Sequence, residues 1–369
     1  MRLDFPSKPS MPTLAVPVPF IVNATVAQAN ATADDPWATG YLYTTPAGSG
    51  AHTVTRWDQG QQIVYNRNDA WVGGPRPKIR RVIKRKVPSS TTRRALIERG
   101  DVQVSFDIPD RDTSELVDTV DVYSTLIQNR IHCVCPDTRF EPFQDVQVRK
   151  AIASAIPYLA IFQSAAYGRK TPMWVGPADI TDAAWPRPVP YKTDTDKARE
   201  HLEASAFADG LDVTMPISFH LASGMEQTAL LIEETPGQRG VTTQIDSIPG
   251  ANWRTVALVD NSLDFHLGDF GGWLSTPDCH FFWAYQKDRL FNSSNYANDE
   301  AHELTARTLQ VSVDDPEWAL LVKRMFEIVI DDLPRIPLSQ PALNMAANGV
   351  SDCEFWFHRQ IDLRRMTGV

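Results

Sequence analysis

The sequence predicts an α/β fold with mixed β-sheets, and three observations support that prediction. Strand-like and helix-like patterns alternate through residues 194–270. Several helix-like runs begin with a capping residue, as at Ser89 and Asp194. Two alternating runs near the front, residues 52–57 and 62–66, are separated by a short polar segment and predict a hairpin. We expect Gly60 to take a positive φ in its turn.

Composition sets the size and the partners that we expect. The chain has 369 residues, of which 43% are hydrophobic, enough for one large or two medium domains. The formal net charge is −9, which argues against a nucleic-acid partner. One basic segment, residues 76–86, is either a surface that binds an anionic partner or the solvated face of an edge strand.

Two features bear on the cellular compartment. The four cysteines, Cys133, Cys135, Cys279 and Cys353, lack the spacing of a zinc or redox motif, so we expect small buried residues. An oxidising compartment would allow one disulfide, which the sequence does not identify. The longest apolar run, residues 14–22, contains two prolines and is too short to span a membrane. It is either a signal peptide or an ordinary segment of the fold.

The sequence contains no motif that predicts catalysis. It has no nucleophile elbow, no phosphate-binding loop and no dinucleotide fingerprint. Four possible metal ligands lie close together in sequence, but His266 and Asp269 fall on opposite faces of a predicted strand. The others, Asp278 and His280, lie in the segment that follows. We therefore predict a protein that is not an enzyme and that has no metal or cofactor.

Several blocks of the chain resemble one family. The most specific is Pro142-Phe143-x-Asp145-x-x-Val148-Arg149-x-Ala151-Ile152, at the start of a helix predicted over residues 141–152. The other blocks are, in chain order, Arg67-Asn68 with Trp71, Gly74 and Pro75, then Asn295-Tyr296-x-Asn298, and then Ile336-Pro337-Leu338-x-Gln340-Pro341. The first of them precedes Pro142, and the last two follow it. Together they resemble the extracellular solute-binding proteins of ABC transporters, family 5, the peptide/nickel class.

The resemblance implies a particular architecture. It implies a two-lobed, periplasmic-binding-protein-like (type II) α/β fold with mixed sheets. The first segment of lobe one and the small extra domain of this family would be missing. Lobe one would comprise residues 1–128 and 342–369, and lobe two residues 133–338. The chain would cross between lobes near residues 127–135 and 338–344, which would act as hinges.

The resemblance also implies a function. We expect a periplasmic monomer that captures a small solute by cleft closure and delivers it to an ABC permease in the membrane. The solute would be peptide-like, with an opine or a sugar-like compound as alternatives. Another alternative is a truncated, non-binding or repurposed interaction protein of the same fold. A soluble hydrolase is the third class to test.

Four residues are candidates for the ligand site. The resemblance places Phe270 and Trp273 at a strand end that lines the ligand pocket, and Trp253 at its side. Core packing is the alternative for both tryptophans. Asp278 is the fourth candidate, but it aligns with a later Pro-Asp of the family and not with the carboxylate that holds a peptide's amino group. Recognition of ordinary peptides is therefore left open, because a buried ammonium needs a carboxylate partner.

Overall fold

The computed structural model describes residues 22–126, 130–173, 189–218, 224–234, 241–248, 250–271, 276–355 and 360–368. The described residues divide into two compact units. One contains Pro109–Arg111 and Leu126–Ala342, and the other runs from residue 22 to Ile108, with Asp112–Thr125 and residues from Leu343 onwards. Trp273, Pro236, the loop residues 174–188 and most of the apolar run 14–22 lie outside the described residues.

Strands and helices alternate from Thr195 to Gly271, as predicted for that part of the chain. The strands are β1 His52–Asp58, β2 Gln62–Arg67, β3 Arg81–Arg85, β4 Val104–Phe106, β5 Asp121–Leu126, β6 Arg130–Pro136, β7 Thr171–Pro172, β8 Leu211–Ser218, β9 Val241–Ile248, β10 Phe265–Gly271, β11 Ile336–Gln340, β12 Ala342–Ala347, β13 Val350–Ser351 and β14 Thr367–Gly368. The helices are α1 Ala24–Ala29, α2 Thr39–Thr44, α3 Ser90–Glu98, α4 Asp110–Leu116, α5 Glu141–Gln144, α6 Val146–Ala155, α7 Tyr158–Ala160, α8 Thr195–Glu203, α9 Met225–Glu234, α10 Gly250–Arg254, α11 Pro277–Ala284, α12 Asp299–Thr308 and α13 Pro316–Asp332. Short π-helical turns, Ile161–Ala165 and Thr255–Val259, extend α7 and α10.

The predicted hairpin is confirmed. β1 pairs antiparallel with β2, and β2 with β3, in a three-stranded sheet. Gly60 has a φ of 75° in the turn between β1 and β2, a conformation that costs glycine little. β3 forms one edge of this sheet and exposes Arg81, Lys84 and Arg85. The basic segment therefore contains an edge strand with solvated cations, as one of its two interpretations predicted.

The unit that contains the hairpin has a separate core around β12. That strand lies between β4 and β5, and Met345, Ala346 and Ala347 in it are buried. Ile97 of α3 and Leu116 of α4 pack in the same region as Ala346. The alternation of residues 101–106 predicts a strand over the whole segment, but β4 covers only its last three residues. The Asp101 amide still bonds to the Leu96 carbonyl, so it closes the preceding helix.

The other unit is built on the four-stranded sheet β10-β6-β11-β7. β10 and β11 both run antiparallel to β6. The parallel pair β8-β9 lies beside β10. One face of the sheet belongs to the main hydrophobic core, where Val134, Leu267 and Ile336 are fully buried. Parallel and antiparallel pairs in one unit confirm the α/β fold with mixed sheets.

The prediction of one continuous helix over residues 141–152 is wrong. The structure has two helices, α5 and α6, separated at Asp145. Asp145 has extended backbone angles, φ −75° and ψ 117°, and its carboxylate accepts a hydrogen bond from the Gln147 amide at 2.8 Å. The aspartate thus acts as the N-cap of α6 and cannot also continue α5.

The C-terminal tail differs from its prediction as well. The aromatic residues of 354–364 predict strand character, but the described part shows only an isolated bridge between Phe355 and Ile361. Across the described ranges, no helix is both long and apolar enough to span a bilayer.

Candidate ligand-binding pocket

One of the predicted candidates, Phe270, lies on the second face of the β10-β6-β11 sheet. Paired residues of neighbouring strands share a face. Phe270 pairs with Ile131, and Gly268 with Cys133, which also pairs with Pro337 of β11. The alternation of strand side chains therefore separates this face from the hydrophobic core on the other side.

A small pocket lies between this face and helix α11. Its cavity measures about 10 Å³, which is room for about one water molecule. The strand side contributes Ile131, Cys133, Phe270 and Pro337 with Arg335 just before β11, and the helix side contributes His280, Ala284 and Tyr285. Typical pockets for whole small molecules measure about 300–1,000 Å³, so this pocket would have to open before a solute could enter it.

Phe270 forms an aromatic wall of the pocket. It is 5% exposed, and its ring centroid lies 5.1 Å from that of His280 and 5.2 Å from that of Phe291. Its position at the end of β10 follows from the register, because Phe270 is the last large side chain of that strand on this face. Contact with a ligand stays a prediction for Phe270.

The other candidates lie elsewhere in the same unit. Trp253 is 5% exposed and packs with Ala257 and Leu263, with its ring edge-on to His266 at 5.5 Å. Asp278 is 3% exposed in the first turn of α11, where its carboxylate accepts a hydrogen bond from the Trp318 indole at 3.4 Å. Burial of this kind is typical of structural residues, so ligand contact at either position stays a prediction.

Arg335 was not identified from the sequence. It immediately precedes β11 and is 6% exposed. Its Nη2 donates hydrogen bonds to the Phe291 carbonyl and, at 3.4 Å, to the Ser293 hydroxyl. The only sequence signal was an arginine next to the apolar run at residue 336, which the family motif did not include.

Charge compensation around Arg335 is incomplete. Its Nε atom is buried and has no hydrogen-bond partner within the described chain. No carboxylate of the described residues forms an ion pair with it. Its guanidinium carbon lies 6.0 Å from the Phe270 ring centroid and 5.8 Å from that of Tyr285. An aromatic face stabilises a cation by about 1–2 kcal/mol, whereas burial of an ion costs several kcal/mol.

Two free thiols border the same pocket. Cys133 and Cys135 are buried on one face of β6, and their Sγ atoms are 3.4 Å apart. The hydrogen bond from Cys133 lowers the pKa of Cys135, against the effect of burial, and nearby His266 and Arg335 lower it further. All four cysteines are buried, as the sequence predicted, and their thiols are free in the described structure.

The four acidic and histidine residues noted in the sequence do not form a metal site. His266 contacts the Ser293 hydroxyl at 3.1 Å through its Nε2, and Asp269 forms an ion pair with Arg130 at 2.9 Å. The His280 ring lies edge-on to the Phe270 ring, and the Asp278 carboxylate accepts a hydrogen bond from the Trp318 indole. In the part of the chain that is described, no group of three or more His, Cys, Asp or Glu side chains could hold a metal ion.

Comparison with known proteins identifies the family. The family of bacterial extracellular solute-binding proteins, family 5 Middle, matches residues 1–292. The chain therefore belongs to the family 5 extracellular solute-binding proteins. The glutathione-binding protein GsiB of Escherichia coli strain K12 is 26% identical over 325 residues, which is 84% of this chain. This chain spans only 62% of the length of that relative.

Solved structures with the same fold support the assignment. The substrate-binding protein CtaP of Listeria monocytogenes has a TM-score of 0.83 at 18% identity, covering 99% of this chain and 75% of that protein. DppA of Helicobacter pylori, solved with the peptide STSA, has a TM-score of 0.78 at 19% identity, covering 99% and 71%. AgaA of A. tumefaciens, in complex with agropinic acid, has a TM-score of 0.77 at 20% identity, covering 100% and 75%. These TM-scores establish a shared fold. The predicted two-lobed fold class is therefore confirmed.

Proposed function

We propose that the protein captures a small solute for an ABC importer and delivers it to a permease in the membrane. Membership of family 5 is the observation that carries this proposal, because the family model matches residues 1–292 of the chain. The pocket beside α11 has aromatic and aliphatic walls and one buried cation, and its cavity of about 10 Å³ would have to widen to admit a solute.

We infer that the solute is peptide-like. The relatives and structural neighbours include proteins described as binding glutathione, the peptide STSA and agropinic acid. Since these proteins differ in solute, an opine or a sugar-like compound is tested beside peptides. The proposal includes a periplasmic location, a monomeric state and hinges near residues 127–135 and 338–344.

Phe270 has a defined part in this proposal. Its buried ring, packed against His280 and Phe291, offers a rigid apolar surface to the solute. Trp273 follows Phe270 closely in sequence and is proposed as a second contact, and Trp253 and Asp278 as further candidates. Truncating Phe270 to alanine should weaken solute binding about tenfold or more, because an aromatic anchor at the centre of a site contributes about 2 kcal/mol.

Isothermal titration calorimetry with separate peptide, opine and oligosaccharide pools tests the function. We expect saturable heat from one pool, lost or weakened in Phe270→Ala and retained in Tyr43→Ala. Tyr43 is 72% exposed and serves as the matched aromatic control. A folded chain that gives no saturable heat with any pool would contradict solute capture and favour a repurposed interaction protein.

A further inference from the structure

We propose that Cys133 and Cys135 form a binding site for one thiophilic monovalent metal ion, Cu⁺, held between their two sulfur atoms on strand β6. The site goes beyond solute capture and does not depend on it. It uses two sulfur ligands only, so it differs from the sites of three or more ligands that the described residues lack.

The alternation of side chains along β6 places the two thiols as a pair. Side chains two positions apart in a strand share a face. Cys133 and Cys135 therefore both lie on the face that borders the pocket, whereas Val134 packs in the core on the other face. Their Sγ atoms are 3.4 Å apart, and the two residues are 2% and 1% exposed. One strand face thus presents two soft sulfur donors, the ligand type that selects Cu⁺.

The spacing of the pair suits an ion better than a disulfide. The Cα atoms of residues two positions apart in a strand are separated by about 6.4–6.8 Å, the upper limit for a disulfide. A linear S–Cu–S unit, with metal–sulfur bonds of about 2.3 Å as for Zn²⁺, spans about 4.6 Å. Rotation of the two side chains widens the present Sγ separation of 3.4 Å to that span without moving the strand. A disulfide would instead require β6 to bend.

Space for one ion lies beside the sulfur atoms. Cys133 borders the cavity of about 10 Å³, which is room for about one water molecule and therefore for one bare ion. Gly268 pairs with Cys133 across β10 and β6, and a β-carbon at Gly268 would lie 3.3 Å from the Sγ atom of Cys135. The missing side chain keeps the two sulfur atoms uncrowded. The same small space excludes the four-ligand shell that Zn²⁺ prefers.

Arg335 balances the charge of the loaded site. Two thiolates and one Cu⁺ carry a single net negative charge, and Arg335 interacts with both sulfur atoms. The complex and the guanidinium together form a neutral buried unit, which avoids the cost of an unpaired buried charge. The hydrogen bond from Cys133 lowers the pKa of Cys135, against the effect of burial. Because metal binding displaces the thiol protons, this effect favours binding.

A thiol pair that only fills the core is the competing explanation. Buried cysteines commonly pack as small apolar residues. In that case the sulfur atoms would keep their protons in the presence of Cu⁺. The two explanations differ in affinity for a soft ion, which can be measured directly.

The first test is competition for Cu⁺ with the chelator bicinchoninate, under anaerobic conditions with ascorbate as the reductant. The absorbance of the Cu⁺–bicinchoninate complex is followed as reduced protein is added. We expect wild type to withdraw one equivalent of Cu⁺. The affinity should fall at least about tenfold in Cys133→Ser and in Cys135→Ser, because each variant loses one of the two soft ligands. Cys279→Ser and Cys353→Ser are the matched controls, since both positions are buried cysteines elsewhere in the chain, and they should bind as wild type does.

X-ray absorption at the copper edge reports on the ligands themselves. Copper in the loaded wild-type protein should have two sulfur neighbours and no nitrogen or oxygen neighbour. Zn²⁺ added in equal amount should not displace it, because the site offers two of the four ligands that Zn²⁺ needs.

Three results would overturn the inference. The first is a wild-type protein that withdraws no Cu⁺ from bicinchoninate. The second is unchanged Cu⁺ affinity in folded Cys133→Ser and Cys135→Ser. The third is loss of binding in Cys279→Ser or Cys353→Ser. If the serine variants at positions 133 and 135 do not fold, X-ray absorption of wild type decides, and copper with nitrogen or oxygen neighbours contradicts the site.

Discussion

Arg149 donates a hydrogen bond from its Nε to the main-chain carbonyl of Asp332 at 2.6 Å, although 183 residues separate the two in sequence. Its Nη1 also donates to the carbonyls of Phe143 and Gln144, the latter at 3.1 Å. One buried guanidinium therefore closes the end of α5 and bonds to the last turn of α13. This explains physically why an arginine stands in the family motif that begins at Pro142.

Removing this guanidinium should destabilise the fold strongly. Arg149→Met would leave three carbonyl groups without their donor, and we expect the free energy of unfolding to fall by about 3 kcal/mol or more. Urea unfolding followed by circular dichroism measures the change. Arg324→Met, which removes an exposed ion pair, should cost less than about 1 kcal/mol. Equal effects of the two substitutions would contradict the role assigned to Arg149.

The cap at Asp145 predicts a smaller and more selective effect. Its carboxylate accepts hydrogen bonds from the Gln147 amide at 2.8 Å and from the Ala206 amide at 3.2 Å. Asp145→Ala should lower the free energy of unfolding by about 1–2 kcal/mol, because the first turn of α6 loses its cap. Asp145→Asn retains an acceptor and should cost less. The prediction fails if, in urea unfolding, the asparagine variant is as unstable as the alanine variant.

Tyr296 should contribute through its hydroxyl group. That hydroxyl donates to the Asp332 carboxylate at 2.5 Å, and the Asn298 side chain donates to the same oxygen at 3.1 Å. Tyr296→Phe should therefore lower the free energy of unfolding by about 1.5–3 kcal/mol, the usual range for a hydrogen bond to a charged group. Tyr43→Phe, at a position that is 72% exposed, is the control. Thermal and urea unfolding should both show that Tyr296→Phe is less stable than Tyr43→Phe. A Tyr296→Phe variant as stable as the wild type would refute the role assigned to this hydroxyl.

His132 should make stability depend on pH. Burial, with Lys170 and Arg130 nearby, lowers the pKa of His132 well below its usual value. The unfolded chain takes up a proton at this residue below about pH 6.5, whereas the folded chain does not. Since the unfolded state then binds more protons, the free energy of unfolding decreases as the pH falls below about 6.5.

The substitution His132→Asn tests this linkage. The asparagine side chain can still accept a hydrogen bond from Lys170, whose Nζ lies 3.5 Å from Nδ1 of His132 in the wild type. It has no titratable group. The slope of unfolding free energy against pH, measured between about pH 5 and 7, should decrease by up to about 1.4 kcal/mol per pH unit. His302→Asn, at an exposed position, controls for loss of an imidazole. An unchanged slope in His132→Asn would contradict the prediction.

Local patterns predicted much of the fold. The hairpin around Gly60 and the helix caps at Ser89 and Asp194 depend on short-range backbone preferences, which can be recognised in the sequence. The break at Asp145 was missed because the apolar spacing continues across it, and only the cap geometry separates α5 from α6. Helical periodicity alone does not reveal a change of backbone direction.

The candidate pocket was less predictable. Phe270 was identified because the end of a strand is visible in sequence. Arg335 was not, because its place beside Phe270 and Tyr285 depends on three-dimensional proximity that the sequence does not show. In the same way, Trp253 has a pocket-side place in the family motif but packs against Leu263 and His266.

The cations of β3 have a consequence for self-association. The outer edge of a sheet offers free main-chain donors and acceptors to any other strand. Two copies of this chain that met along β3 would bring Arg81, Lys84 and Arg85 of each into close like-charge contact. Like charges directly opposite one another destabilise strand pairing. This edge thus resists fibre-like stacking of one molecule on the next, which favours solubility even at high protein concentration.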